Sequence, residues 1–234
     1  MPKLDVIDLG RLSWAQAWLI QQEYVEKRKA GLVPDTLLFV EHPHVITLGR
    51  NALESNILVS NERLKQLGIA VHEAKRGGDV TYHGPGQLVG YPIIDLAAWK
   101  RDVRAFVQAI ETAVIRTLAG YGIAAYTRQG KETGVYVSSA TDTPAKICAL
   151  GIHISRWVSS HGFALNINPD LQFFQYILPC GLTLPVTSMA ELGVVAHKDE
   201  VMRLLARHLA EIFNLELIDS DFTSSLEHLQ ETLP

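Results

Sequence analysis

Apolar residues recur along the chain with two periods, and the switches between them set the expected elements. Trp14, Trp18 and Val25 follow a helical period behind Ser13, whose hydroxyl suits a helix cap, and the pattern closes near Gly31 and Pro34. A stronger stripe runs through Val103, Phe106, Val107, Ile110, Val114 and Leu118, opened by Asp102 and stopped at Gly120 and Gly122. Residues 61–67 predict a short helix, and a last long one begins at Asp199, carrying Val201, Leu204, Leu205, His208 and Ile212. Between these lie extended runs. Residues 36–40 and 45–48 read as short strands split by Glu41-His42-Pro43-His44, and residues 79–83 and 88–94 as a paired hairpin around Gly84-Pro85-Gly86. Residues 134–138, 146–157 and 162–167 follow as successive strands. Strands grouped in the middle and flanked by helices predict an α+β fold, with a mainly antiparallel or mixed sheet in a single domain over residues 1–234. No repeat or linker interrupts it.

Composition narrows the function. With 47% hydrophobic and 20% charged residues, the chain has the makeup of a folded globular protein. The net charge of -4, with only short basic pairs such as Lys75-Arg76 and Lys100-Arg101, provides no electrostatic footprint for nucleic acid. Residues 1–10 carry Lys3, Asp5 and Asp8 and lack the apolar run of a signal peptide, and no apolar run is long enough to span a bilayer. A cytoplasmic location without membrane attachment is therefore expected. Two cysteines, Cys148 and Cys180, have no metal-ligand spacing and suit a reducing compartment in which thiols stay free.

Several chemistries are absent. Neither G-x-x-x-x-G-K-[ST] nor G-x-S-x-G occurs, and Gly84, Gly86 and Gly90 miss dinucleotide spacing and precede a strand-like run. His42 and His44 form a lone H-x-H without a carboxylate or thiol companion, so a surface or packing role is the reading and no metal site is expected. Residues 76–87 are dense in glycine and polar side chains. Gly77 and Gly78 allow the backbone to approach a ligand beside Arg76 and His83, or equally serve a tight hairpin. Strand alternation from Lys146 puts Lys146, Cys148, Leu150, Ile152 and Ile154 on one face, and Ala149, Gly151 and His153 on the other. Lys146 at the head of an apolar face is either a partly desolvated base or an amine reaching past the strand end to water. Cys148, among aliphatic residues, reads as core. Cys180, between Pro179 and Gly181, has turn chemistry that presents a side chain to substrate. It is the better nucleophile candidate, although a buried structural thiol or an incidental disulfide with Cys148 is the alternative.

Taken in order, Arg76-Gly77-Gly78-Asp79-Val80-Thr81-Tyr82-His83, Lys146-Ile147-Cys148-Ala149-Leu150-Gly151, His161-Gly162-Phe163-Ala164-Leu165-Asn166 and Pro179-Cys180-Gly181 resemble the lipoyl(octanoyl) transferases. With Glu41-His42-Pro43 and Leu48-Gly49-Arg50, the resemblance covers residues from about 35 to 193. It implies a fold similar to the catalytic domains of biotin and lipoate protein ligases. It further implies Cys180 as acyl-thioester nucleophile, and Lys146 as the amine that lowers the thiol pKa and relays protons. Acyl-pocket residues are implied at Arg76, Gly77, Gly78, Asp79, Val80, Thr81, Tyr82 and His83, at Ala149, Leu150 and Gly151, and at Gly162, Phe163 and Ala164. The implied donor is octanoyl-acyl carrier protein. The implied acceptors are the apo lipoyl domains of 2-oxoacid dehydrogenases and the H protein of glycine cleavage, and neither ATP nor any other cofactor is called for. Lys100, Arg101 and Arg104 are the candidates for docking an acidic carrier protein.

Overall fold

A computed structural model describes residues 1–128, 133–139, 142–178 and 184–218. In chain order the elements are β1 (Lys3–Arg11), α1 (Trp14–Lys29), β2 (Asp35–Glu41), β3 (Val45–Leu48), α2 (Asn61–Gln66), β4 (Ala70–Glu73), β5 (Val80–His83) and β6 (Gln87–Ile93). Then come α3 (Leu96–Trp99), α4 (Val103–Gly120), β7 (Ala125–Thr127), β8 (Gly134–Ser138), β9 (Pro144–Ser155), β10 (Val158–Asn166), α5 (Lys198–Phe213) and β11 (Glu216–Ile218). Short 3-10 segments occur at Glu54–Asn56 and Leu171–Tyr176.

Among the described residues eight strands form one mixed sheet in the order β11-β1-β2-β6-β10-β9-β8-β7, and β4-β3-β5 form a smaller one. The helices cover both faces of the large sheet. Strand β2 shows why its run is apolar throughout: Leu37 and Phe39 enter the core beneath α4 and α5, while Leu38 and Val40 enter the core beneath α1. Helix α1 starts at a capping box in which the Ser13 hydroxyl accepts from the Gln16 amide and the Gln16 side chain accepts from the Ser13 amide. Helix α4 starts where the Asp102 carboxylate accepts from the Ala105 amide at 2.9 Å, and it buries Phe106, Ile110, Val114 and Leu118 on one stripe.

The expected hairpin at residues 79–94 does not form. Strand β5 pairs with β3 in the small sheet, and β6 pairs with β2 and β10 in the large one. Register explains the arrangement: Val40 lies opposite Val89 and, past the break, Val45 lies opposite His83. The two runs are thus one long antiparallel ladder, bent where Pro43 cannot donate and where Gly86 takes a φ of 82°. Gly84-Pro85-Gly86 passes the chain between sheets. Pairing between β1 and β2, and between β3 and β4, is parallel, and β1, β4, β7 and β11 lie at positions where no strand was expected. Among the described residues no helix is long and apolar enough to cross a membrane.

Candidate active site

A cavity of about 970 Å³ opens where the bend leaves the two sheets apart. One wall is the loop at residues 76–79, which is stapled on both sides. The Gly49 and Arg50 amides donate to the Asp79 and Arg76 carbonyls, the Asn51 amide donates to the Gly78 carbonyl, and the Gly77 amide donates to the Ile152 carbonyl at 2.9 Å. Close approach requires glycine at Gly49, where a Cβ would stand 2.4 Å from the Gly78 carbonyl oxygen, and at Gly151, where it would stand 2.9 Å from that of Gly77. The Arg76 side chain turns inward, its Nη2 donating to the Thr47 carbonyl at 2.7 Å and to the Thr47 hydroxyl at 2.9 Å. Asp79 accepts from Asn56 Nδ2 at 2.6 Å and from the Val80 amide at 2.7 Å.

The opposite wall comes from the antiparallel pair β9 and β10. Here the structure corrects the simple alternation. Val135 of β8 lies opposite Cys148, but Tyr136 lies opposite Lys146, so Ile147 is an extra residue on β9. The bulge sends Ala145, Ile147 and Cys148 into the core beneath α4 and turns Lys146 to the cavity side with Ala149 and Gly151. Cys148 is wholly buried, and burial pushes its thiol pKa up. The Lys146 backbone is held on its other side by residues 185–187: its amide donates to the Pro185 carbonyl at 2.8 Å, and the Thr187 amide donates to the Lys146 carbonyl at 2.9 Å. Its Nζ stands 5.2 Å from the centroid of the Tyr136 ring.

Two histidines at the cavity are neutral at physiological pH. Burial, reinforced by His42, lowers His83 to a pKa of about 3 against the opposing bond from Gln87. Its Nδ1 lies 2.7 Å from Gln87 Oε1, an acceptor, so Nδ1 carries the proton and Nε2 is left as an acceptor. Gln87 Nε2 donates onward to Asn166 Oδ1 at 2.9 Å, and Asn166 Nδ2 donates to the Thr187 carbonyl at 2.9 Å, which links β5 to the segment beside Lys146. His161 is lowered to about 3 by burial and then by the Arg76 charge. It sits at a φ of 57°, its ring stacked on Trp18 at 4.7 Å and its amide donating to Gln21 Oε1.

Residues expected at an acyl pocket are distributed as follows. Arg76, Gly77, Gly78, Asp79, Val80, Thr81 and His83 line the cavity from one side, and Lys146, Ala149, Leu150, Gly151, Gly162, Phe163 and Ala164 from the other. Tyr82 does not join them. Alternation in β5 turns it away, to stack on Phe173 at 5.4 Å and to meet His44 Nδ1 through its hydroxyl at 2.7 Å. His42, its imidazole lowered to about 4 by burial, bonds the Leu12 carbonyl and the Tyr91 hydroxyl. Among the described residues no group of three or more His, Cys, Asp or Glu side chains is placed to hold a metal. Cys180 lies outside the described residues, as do Pro179 and Gly181. Asn51, Asn56, Gln87, Tyr91, His161 and Asn166 line the cavity without having been expected there. His161 and Asn166 border the 162–164 segment and were within reach of sequence reasoning, whereas Asn51 and Asn56 lie in an irregular stretch with no pattern.

This fold and cavity define a class. The model of the lipoyl protein ligase A/B catalytic domain matches residues 13–210, and the chain belongs to that family. Within it the relatives are octanoyltransferases, so the chain is an acyltransferase. It is 57% identical over 210 residues to the octanoyltransferase of Solibacter usitatus, covering 90% of this chain and 93% of that one. It is 45% identical to the octanoyltransferase of Koribacter versatilis, covering 99% and 92%. Among solved structures, protein Ta0514 of T. acidophilum with bound lipoic acid superposes with a TM-score of 0.73 at 16% identity, covering 98% of this chain and 95% of that one. The biotin protein ligase of Aquifex aeolicus follows with a TM-score of 0.51 at 12% identity, covering 92% and 70%. At such identities the likeness is one of fold, and it agrees with the α+β architecture expected from the sequence.

Proposed function

We propose that the chain moves octanoyl from octanoyl-acyl carrier protein to a specific lysine of apo lipoyl domains, through a thioester on Cys180 assisted by Lys146. The observation that carries this reading is the placement of Lys146 on the cavity wall by the β9 bulge, with its backbone bonded to residues 185–187. That stretch follows Cys180 closely in the chain. On the near side, the Leu178 amide donates to the carbonyl of Asn56, itself a cavity residue, and Leu184 lines the cavity on the far side. Val80, Leu150, Phe163 and Val186 make much of the lining apolar, which suits a saturated acyl chain.

The Cys180 thiolate attacks the donor thioester carbonyl, the C–S bond to phosphopantetheine breaks, and the departing sulfur takes a proton from the Lys146 ammonium. The acceptor lysine amine then attacks the enzyme thioester, Lys146 takes back a proton, and the Cys180 thiolate leaves as the amide forms. Each proton transfer by a positioned side chain contributes roughly 100- to 10,000-fold. Thioester exchange is nearly balanced and amide formation runs downhill, so the chemistry requires no ATP. Intact-mass analysis after mixing with octanoyl-carrier protein tests the reading. The wild type gains one octanoyl group, and Cys180→Ser gains none. An adduct persisting in Cys180→Ser defeats the nucleophile assignment, and pyrophosphate release from ATP with free octanoate defeats the transfer reading in favour of a ligase.

A further inference from the structure

The side chain of Lys146 is long and flexible, yet the proposed chemistry needs its amine at one place in both half-reactions. Lysine has more rotamer freedom to lose than almost any other residue, so a fixed amine implies a surface that holds the stem. Strand β8 provides one. At Gly134 an added Cβ would meet Lys146 Cε at 3.4 Å and Cδ at 3.6 Å, so the lysine methylenes lie on the bare face of this glycine. The same Cβ would stand 2.8 Å from the Cys148 carbonyl oxygen, and the φ of 142° is one that L side chains rarely adopt. Two residues on, the Tyr136 ring lies beneath the amine, its centroid 5.2 Å from Nζ. That ring is itself packed in place. It is fully buried, stacks on Tyr126 at 6.5 Å, and carries the Arg128 guanidinium at 5.6 Å.

The seat is braced from the helix layer. Glu111 of α4 is buried at 7% exposure, and its Oε1 accepts from the Gly134 amide at 3.0 Å. Burial raises its carboxyl pKa, and the bond to Gly134 opposes that rise. A carboxylate set into the core to hold one strand amide costs desolvation, which an apolar residue would not incur. Its position directly beneath the glycine that the lysine rests on accounts for it.

We infer that Gly134 and Tyr136, braced by Glu111, are positioning residues that aim the Lys146 amine, the stem resting on the glycine and the charge on the ring face. The role in catalysis rests on the assignment of Lys146 made above, and the placement of the side chain does not. Two measurements separate them. In protein carrying carbon-13 lysine, one set of side-chain methylene signals stands upfield through the Tyr136 ring current, vanishes in Lys146→Arg, and returns to the position of an exposed lysine in Tyr136→Leu. In single-turnover acylation by octanoyl-carrier protein, Tyr136→Leu slows the rate constant roughly 10-fold and displaces its pH curve, whereas Tyr136→Phe, which keeps the ring, stays within about 2-fold. A merely structural defect lowers the amplitude and leaves the rate constant and pH curve in place. Lys146 signals at an exposed-lysine position in the wild type overturn the seat, and so does a Tyr136→Phe loss as large as that of Tyr136→Leu. Should Lys146→Ala acylate at the wild-type rate, the assignment of Lys146 fails, and the spectrum still decides the seat.

Discussion

Arg76 shows how one side chain can hold a pocket wall. Its guanidinium reaches across to the Thr47 carbonyl and hydroxyl and back to the Gly77 carbonyl, while its own carbonyl takes the Arg50 amide. Removing a charged donor of this kind leaves buried acceptors unsatisfied. Arg76→Met is therefore expected to lower unfolding free energy by roughly 2 to 3 kcal/mol, read from the denaturant midpoint at constant m-value. Gly162 limits the opposite wall by a different cause, because a Cβ there would stand 2.1 Å from the Gly90 carbonyl oxygen and 2.6 Å from Pro92 Cδ. Gly162→Ala should cost about 1 to 3 kcal/mol through backbone displacement between β6 and β10, visible as a lower thermal midpoint. The sequence marks Gly77 and Gly78 by density and Gly162 only through the resemblance of its motif. Which carbonyl each one admits depends on the strands brought opposite it.

At the scale of elements, the helices were legible because their information is local. The stripe of α4 and its Asp102 cap are set by residues within one turn of each other, and the cap forms as expected. Asp102→Ala should fray the end of α4 that carries Val107 toward the cavity, measurable as faster amide exchange at residues 103–106. The strands were less legible, since a strand is completed by a partner remote in sequence. Residues 79–94 carry turn chemistry that fits a hairpin, and the fold uses it for a bend because β2 and β3 offer a longer ladder to both arms. The β9 bulge is the sharper case. Alternation predicts Lys146 and Cys148 on one face, and the extra residue Ile147 separates them, one to the cavity and the other to the core.

Across the whole molecule, His42, His83 and His161 sit buried and neutral, burial lowering their pKa values to about 4, 3 and 3 from the ordinary imidazole value of about 6.5. The unfolded chain protonates them first. Their neutral forms are therefore compatible with the fold above pH 6.5, and the stability they allow is lost as pH falls through 6.5 toward their folded values. Each adds up to about 1.4 kcal/mol of destabilisation per pH unit in that window. Denaturant midpoints should accordingly decline between pH 6.5 and 4.5, and His83→Gln should flatten the decline. If the donor is an acidic carrier protein, as proposed above, the net charge of -4 opposes it and docking calls for a local basic patch. Arg101 lies on the ring of exposed Trp157 at 5.9 Å, and Lys100 stands 3.8 Å from Asp102. If this helix start docks the donor, Arg101→Glu with Arg104→Glu raises the donor KM at low salt and leaves the acceptor KM unchanged. The chain's own order of residues was enough to settle α1, α2, α4 and α5, the caps of α1 and α4, its α+β class, and the family motifs that mark residues 76–83, 146–151 and 161–166, whereas the short α3 carried no pattern. Those features depend on spacing within a few residues or on identity alone. Which strands became neighbours, which face Lys146 took, why Tyr82 left the cavity, and the neutral state of the buried histidines were decided by contacts between residues tens of positions apart. Such contacts form only when loop closure brings two segments together, and no local pattern records which pair will meet.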